Sequence, residues 1–213
     1  EYAWIAASIM KGNTSYQDIF NVKPPLTHLV HQIALQSFGY HMKSIRILDL
    51  IWQIITAILI YKISSKTKQS RVASMLAASL YFFLYFQLDY WNTAQTDGFL
   101  TLPIAAGILL FLQAEEKKCL CLYGASSFFL SLGVLFKYPI GILFIFLSLI
   151  VIYKNRKNSY RVLLWMGIGF LIPLGLCFVF MSVQGNFIDF LIIQFAYIPK
   201  YSTISRSQKN YWH

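Results

Sequence analysis

Lys23, Asp97 and Lys137 are charged residues set against long apolar runs. Ionisable side chains near lipid are rare and costly, so each is a candidate for chemistry. Lys23 precedes Pro24-Pro25 in the stretch FNVKPPLTHLV. Prolines fix the backbone and fit the first turn of a following helix, so this lysine stands on a stiff support. Its ammonium is a point charge suited to a phosphate. The competing reading is an interfacial lysine reaching for lipid headgroups. Lys137 lies in Phe136-Lys137-Tyr138-Pro139, between two apolar runs, and has the same two readings. Asp97 stands just where an apolar run begins. It reads as a carboxylate aimed into a cavity or as a helix N-cap, and the two roles are compatible.

Glu1 and Asp18 are the other carboxylates of the first segment, and Asp18 equally suits a turn. His28 and His31, three apart, could pair on a metal, but a polar edge on an interfacial helix is the preferred reading. Arg46 and Asp49 are also three apart inside an apolar run, which suggests a structural ion pair. Cys119, Cys121 and Cys177 lack zinc-site spacing and read as small apolar packing residues.

The elements that must position these residues are membrane helices. Hydrophobic residues make up 57% of the 213-residue chain and charged residues 12%, against about 25% charged in soluble domains. A spanning helix needs about 20 apolar residues. Candidate spans run from Ser44 to Tyr61, Val72 to Leu88, Gly98 to Leu112, Leu120 to Phe136, Tyr138 to Tyr153 and Val162 to Val183. The fourth and fifth form a hairpin broken at Lys137-Tyr138-Pro139, because proline forces the preceding residue extended. Ten of the eighteen Lys and Arg fall in three short segments, Lys62 to Arg71, Glu115 to Lys118 and Lys154 to Arg161. The positive-inside rule makes that side cytoplasmic. Basic clustering of this kind reflects membrane topology, so the net charge of +10 does not point to nucleic acid.

The expected fold is therefore an all-α, polytopic transmembrane helix bundle. Residues 1–43 form a first extracytoplasmic loop with two interfacial helices, Tyr2 to Met10 and Leu26 to Phe38. Residues 44–183 form a bundle of about six spans. Residues 184–213 form an extracytoplasmic segment. A start at Glu1 and a stop at His213 suggest a piece of a longer protein, with a further part after His213.

The order of features resembles a known family. Glu1-Tyr2-Ala3 is followed by Lys11-Gly12, Tyr16-Gln-Asp18-Ile-Phe20, Lys23-Pro24-Pro25-Leu26, Phe38-Gly39 and Ile45-Arg46-Ile-Leu-Asp49. Asn92-Thr93, Asp97-Gly98, Pro103 and Leu135-Phe136-Lys137-Tyr138-Pro139 come later. This pattern resembles the GT-C superfamily of polyprenyl-phosphate-sugar glycosyltransferases, in the bacterial branch near protein O-mannosyltransferases and lipid A aminoarabinose transferases.

The resemblance implies sugar transfer from a polyprenyl-phosphate donor to an extracytoplasmic lipid, glycan or protein acceptor, at a bacterial plasma membrane. It implies catalytic carboxylates at Glu1 and Asp97, with Glu1 the second member of an acidic pair. It implies lipid-phosphate binding by Lys23 and Lys137, with Asp18, Pro24 and Pro25 in support. A divalent metal is compatible with the family. One branch has a Glu before the Lys-Pro pair that binds metal, however, and here that position is Val22.

The chemistry suits these residue types. An inverting transfer needs a base for the acceptor proton and a cation for the departing phosphate. Two other classes stay open. A flippase or transporter of lipid-linked glycans would show charges within its spans and a repeat between halves. A membrane scaffold would show no convergence of these acids and lysines.

Overall fold

The computed structural model describes residues 1–154 and 159–200, folded as helices joined by turns and two longer loops, 11–25 and 87–95. Of the segments read from sequence, residues 155–158 of the third basic loop and residues 201–213 lie outside the described residues. The helices are α1 (Tyr2–Met10), α2 (Leu26–Phe38), α3 (Met42–Lys66), α4 (Arg71–Phe86), α5 (Thr96–Lys117), α6 (Leu120–Phe136), α7 (Gly141–Lys154), α8 (Ser159–Val183) and α9 (Phe187–Leu191). Each of the six apolar runs becomes one of helices α3 to α8. By length and composition, α3, α5 and α8 can each cross a membrane; α4, α6 and α7 are shorter. The chain is an integral membrane protein with an all-α bundle.

Helix α5 is the axis of the bundle, with 56% of its apolar window buried. Pro103 interrupts it. Proline lacks an N–H, so the carbonyl four residues earlier loses its helical partner. That carbonyl belongs to Phe99, and Trp52 of α3 donates its indole N–H to it at 2.9 Å. In lipid, with no water to take the place of a lost hydrogen bond, such a repair is needed.

The two ends of α5 are about 30 Å apart at 1.5 Å per residue. At its C-terminal end, Glu115 pairs with Lys154 of α7 at 3.3 Å and with Lys118 at 3.5 Å. Glu116 pairs with Lys66 of α3. The described parts of the three basic segments therefore meet at one end. Asp97 and Lys137 stand at the other.

Helices α6 and α8 pack backbone to backbone. A Cβ on Gly169 would run into the carbonyl oxygen of Gly124. Small residues allow such close approach, which matters in lipid because packing replaces the hydrophobic drive. Outward faces are apolar, as at Val72, Leu76, Leu171 and Val179.

Two expectations change. Arg46 and Asp49 do not pair with each other. Arg46 donates to the carbonyl oxygen of Tyr90 at 2.7 Å and to the Thr93 hydroxyl, and its guanidinium lies 3.9 Å from the Tyr90 ring centroid. Asp49 accepts from Gln53 at 3.0 Å and from Tyr85 at 2.8 Å. Spacing by three permits a pair but does not compel one, and the neighbouring helix and loop offer each side chain its own partners. Both residues thus tether the segment that leads to Asp97, because the Tyr85 hydroxyl also accepts from the Ala94 N–H at 2.9 Å.

The second change concerns α2. Its buried face is Thr27, His28, Val30, His31, Ala34 and Leu35, while Leu29, Ile33 and Phe38 are exposed. The histidines point inward, not along a polar edge. Lipid is as good a solvent for leucine as the protein interior, so the polar side chains take the inside, where they find partners.

Candidate functional site

The first loop folds so as to hold Lys23. Asp18 accepts the Thr14 N–H at 2.7 Å and closes a tight turn. Tyr16 within that turn has a positive φ of 71°. Its ring is buried against Phe190, Met181 and Ile193. Burial pushes the Tyr16 phenol far above its ordinary range, so it stays protonated and donates to the Lys23 carbonyl oxygen at 2.7 Å. The Lys23 N–H donates to the Asn21 side chain at 2.9 Å. Asn21 in turn bonds the ring of His28. Pro24 and Pro25 follow, and the Pro25 carbonyl accepts from His28 and Leu29 to start α2. Lys23 is thus fixed on both sides by its backbone.

The other charged residues come from helix ends. Asp97 lies in the first turn of α5, where the helix dipole favours an anion. Its side chain makes no capping hydrogen bond; the N-cap is Gln95. Lys137 caps the C-terminus of α6 in extended backbone, where the dipole favours a cation. A short 3-10 turn, Tyr138–Ile140, follows, with Pro139 in its opening positions. The Lys137 ammonium meets the Asp97 carboxylate at 2.7 Å. Thr27 and Thr96 hydroxyls lie 3.3 Å apart and bring together the starts of α2 and α5. Two helix N-termini therefore flank the same place, an arrangement that attracts anions.

These elements enclose a cleft of ≈ 130 Å³ lined by Lys23, Pro24, Thr96, Asp97, Lys137 and Gln194, with Val22, Phe136 and Tyr138 among its other walls. Of the residues singled out in the sequence, Lys23, Pro24, Asp97 and Lys137 meet here. Pro25 lines a second, larger and mostly apolar cavity of ≈ 260 Å³ between α2, α6 and α8. Glu1 is exposed at the start of α1, and Asp18 is exposed and engaged in its turn; neither lines the cleft. Sequence reasoning missed Gln194 and Thr96. A lone amide inside the apolar run Ile192-Ile193-Gln194-Phe195 was the available signal.

The donor set does not suit a divalent metal. The cleft offers one carboxylate, already held by a lysine, and Val22 in place of an acid. Among the described residues, no three His, Cys, Asp or Glu are placed to hold one.

His28 and His31 form the packed base behind Lys23, with the Tyr2 ring against both. Burial lowers the His28 imidazole from 6.5 to about 4 and also lowers His31. Both are neutral at pH 7. Between pH 6.5 and 4 the unfolded chain binds more protons than the folded one, so stability falls as pH falls through that window. At pH 5 the His28 contribution amounts to a loss on the order of 2 kcal/mol. The melting temperature in detergent is expected to drop from pH 7.5 to pH 5. His28→Gln should flatten that drop, and an unchanged slope would assign it to other groups.

The family described as dolichyl-phosphate-mannose-protein mannosyltransferase has a model that matches residues 22–182. That range contains Lys23, Asp97 and Lys137 but neither Glu1 nor Gln194. Neither a curated protein nor a solved structure matches the chain.

Proposed function

Because the chain belongs to the dolichyl-phosphate-mannose-protein mannosyltransferase family, and so is a membrane-embedded glycosyltransferase acting on a polyprenyl-phosphate-linked sugar, we propose that the cleft is its transfer site. The observation that carries this reading is the meeting of Lys23, Asp97 and Lys137 in one cleft, from three separate segments. Family membership sets aside the transporter and scaffold readings.

In this reading Lys23 and Lys137 hold the lipid phosphate, and the N-termini of α2 and α5 add to the positive field. An acceptor hydroxyl attacks the sugar's anomeric carbon. The bond from that carbon to the phosphate oxygen breaks, and the polyprenyl phosphate leaves with the electron pair. The phosphate gains a negative charge as it leaves, which the ammonium groups stabilise. The acceptor's proton passes to a carboxylate, Asp97, with Glu1 as a second acidic group on the acceptor side. Asp97 already holds Lys137. Arrival of the phosphate gives the ammonium a second anion and leaves the carboxylate freer to take a proton.

The cleft end of the bundle is extracytoplasmic in this reading, since the basic segments gather at the other end. Residues 1–43 are then the outer loop, residues 44–183 the membrane bundle, and 184–213 an outer segment. A bacterial plasma membrane and a lipid, glycan or protein acceptor complete the proposal.

The test is a transfer assay of the full chain with polyprenyl-phosphate sugars. Lys23→Ala and Lys137→Ala are each expected to lower kcat/KM about 10- to 100-fold, the size of a hydrogen bond to a charged group. Both variants at the wild-type rate would remove the cleft from the reaction.

A further inference from the structure

We propose that Gln194 reads a hydroxyl of the sugar being transferred. Gln194 lines the cleft beside Lys23, Asp97 and Lys137. It is only 6% exposed. Its amide nitrogen reaches the Val22 carbonyl oxygen at 3.4 Å, while its Oε1 has no hydrogen-bond partner. Most buried side-chain polar atoms are satisfied, so an unpaired Oε1 on a residue that lines the cleft offers an acceptor to a donor group bound there. Two of the neighbouring polar side chains are already engaged, Asp97 with Lys137 and Thr96 with Thr27.

The backbone at this residue is unusual too. Ile192–Tyr197 forms a π-helical turn directly after α9. Such turns are rare and are frequently found at functional sites. Here the wide turn sits under Gln194, within a segment docked on the first loop through Tyr16, Phe190 and Ile193.

The ligand chemistry follows by elimination. Oε1 can only accept a hydrogen bond. The phosphodiester of the donor has only acceptors, and its prenyl chain is apolar. The sugar is the part of the donor that carries O–H groups. An acceptor hydroxyl shares that chemistry, so the test separates the two. The inference rests on the cleft as the transfer site, but Gln194 lies outside the family-matched segment.

The experiment measures binding of undecaprenyl phosphate, and of undecaprenyl-phosphate glucose, mannose and galactose, to the full chain in detergent without acceptor. The readout is the affinity for the best-bound sugar lipid divided by that for bare undecaprenyl phosphate. Gln194→Leu and Gln194→Met, which lack the carbonyl, are each expected to reduce this ratio about 10-fold or more. Gln194→Glu, which keeps an acceptor oxygen, is expected to preserve it. An unchanged ratio in the Leu and Met variants overturns the proposal; a raised KM for the acceptor in the transfer assay of the same variants would then assign Gln194 to the acceptor instead. A wild type that binds bare and sugar-bearing lipids equally overturns it as well. Lys23→Ala, run alongside, should weaken both kinds of lipid. If it weakens neither, the phosphate assignment fails while the Gln194 ratio still decides its own case.

Discussion

Asp97→Asn is expected to lower kcat for sugar transfer about 100-fold or more, the range for loss of a general base. Asparagine keeps the size and shape of the side chain, so α5 and the cleft should survive. What it loses is the capacity to take a proton. The same change releases Lys137, which Asp97 holds at 2.7 Å. A freed ammonium is, if anything, more available to a phosphate. KM for the donor should therefore not rise, and the loss should lie in kcat. Lys137→Ala removes the cation instead and should raise KM as well. The two side chains touch, so the double variant should cost less than the two single losses combined. Wild-type kcat in Asp97→Asn would hand the base to another residue, with Glu1 the next to examine.

Gly169→Ala is expected to destabilise the whole bundle, with a cost of several kcal/mol, more than most single substitutions. Glycine to alanine inside a helix ordinarily gains up to about 1 kcal/mol. Here the added Cβ would meet the Gly124 carbonyl oxygen and would lie 2.7 Å and 2.9 Å from the Gly124 carbonyl and α carbons. These are backbone atoms, and no rotamer change relieves them. Helices α6 and α8 would have to separate, and α6 carries Lys137 at its end, so the cleft should go with them. Gly167 supplies the control: it lies on the same helix with nothing within 4 Å of an added Cβ. Thermal unfolding in detergent should show Gly167→Ala at or above the wild-type temperature and Gly169→Ala far below it. Equal melting of Gly169→Ala and wild type would mean that the two helices do not approach this closely.

Much of this architecture is legible in the chain. Six apolar runs become six helices, and Pro139 marks the hairpin that holds Lys137. The lone charges Lys23, Asp97 and Lys137 stand out because lipid makes them expensive, and three distant positions prove to share one cleft. What stays hidden depends on partners far along the chain. Arg46 and Asp49 look like a pair by spacing, yet their partners lie at 85, 90 and 93 as well as at the local Gln53. The inward face of α2 is hidden for a different reason. Counting apolar residues finds the buried side of a helix in water, but lipid welcomes Leu29 and Ile33 and leaves His28 and His31 to the interior. Gln194 is marked in the sequence only as a lone amide in an apolar run, and no pattern of residue types announces the π turn that carries it.

The hydrogen bond from Trp52 to the Phe99 carbonyl, made necessary by Pro103, has a bearing on how such a chain can drift over generations. The ring at 103 creates a vacancy that only a donor on the adjacent helix can fill. Exchange of Trp52 alone strands a carbonyl in an oily interior. Exchange of Pro103 alone supplies the helical N–H, and the Phe99 carbonyl, with two lone pairs, can accept it beside the indole. The first step is costly and the second is not, so the order of substitution has a direction: the proline must go before the tryptophan is free to change.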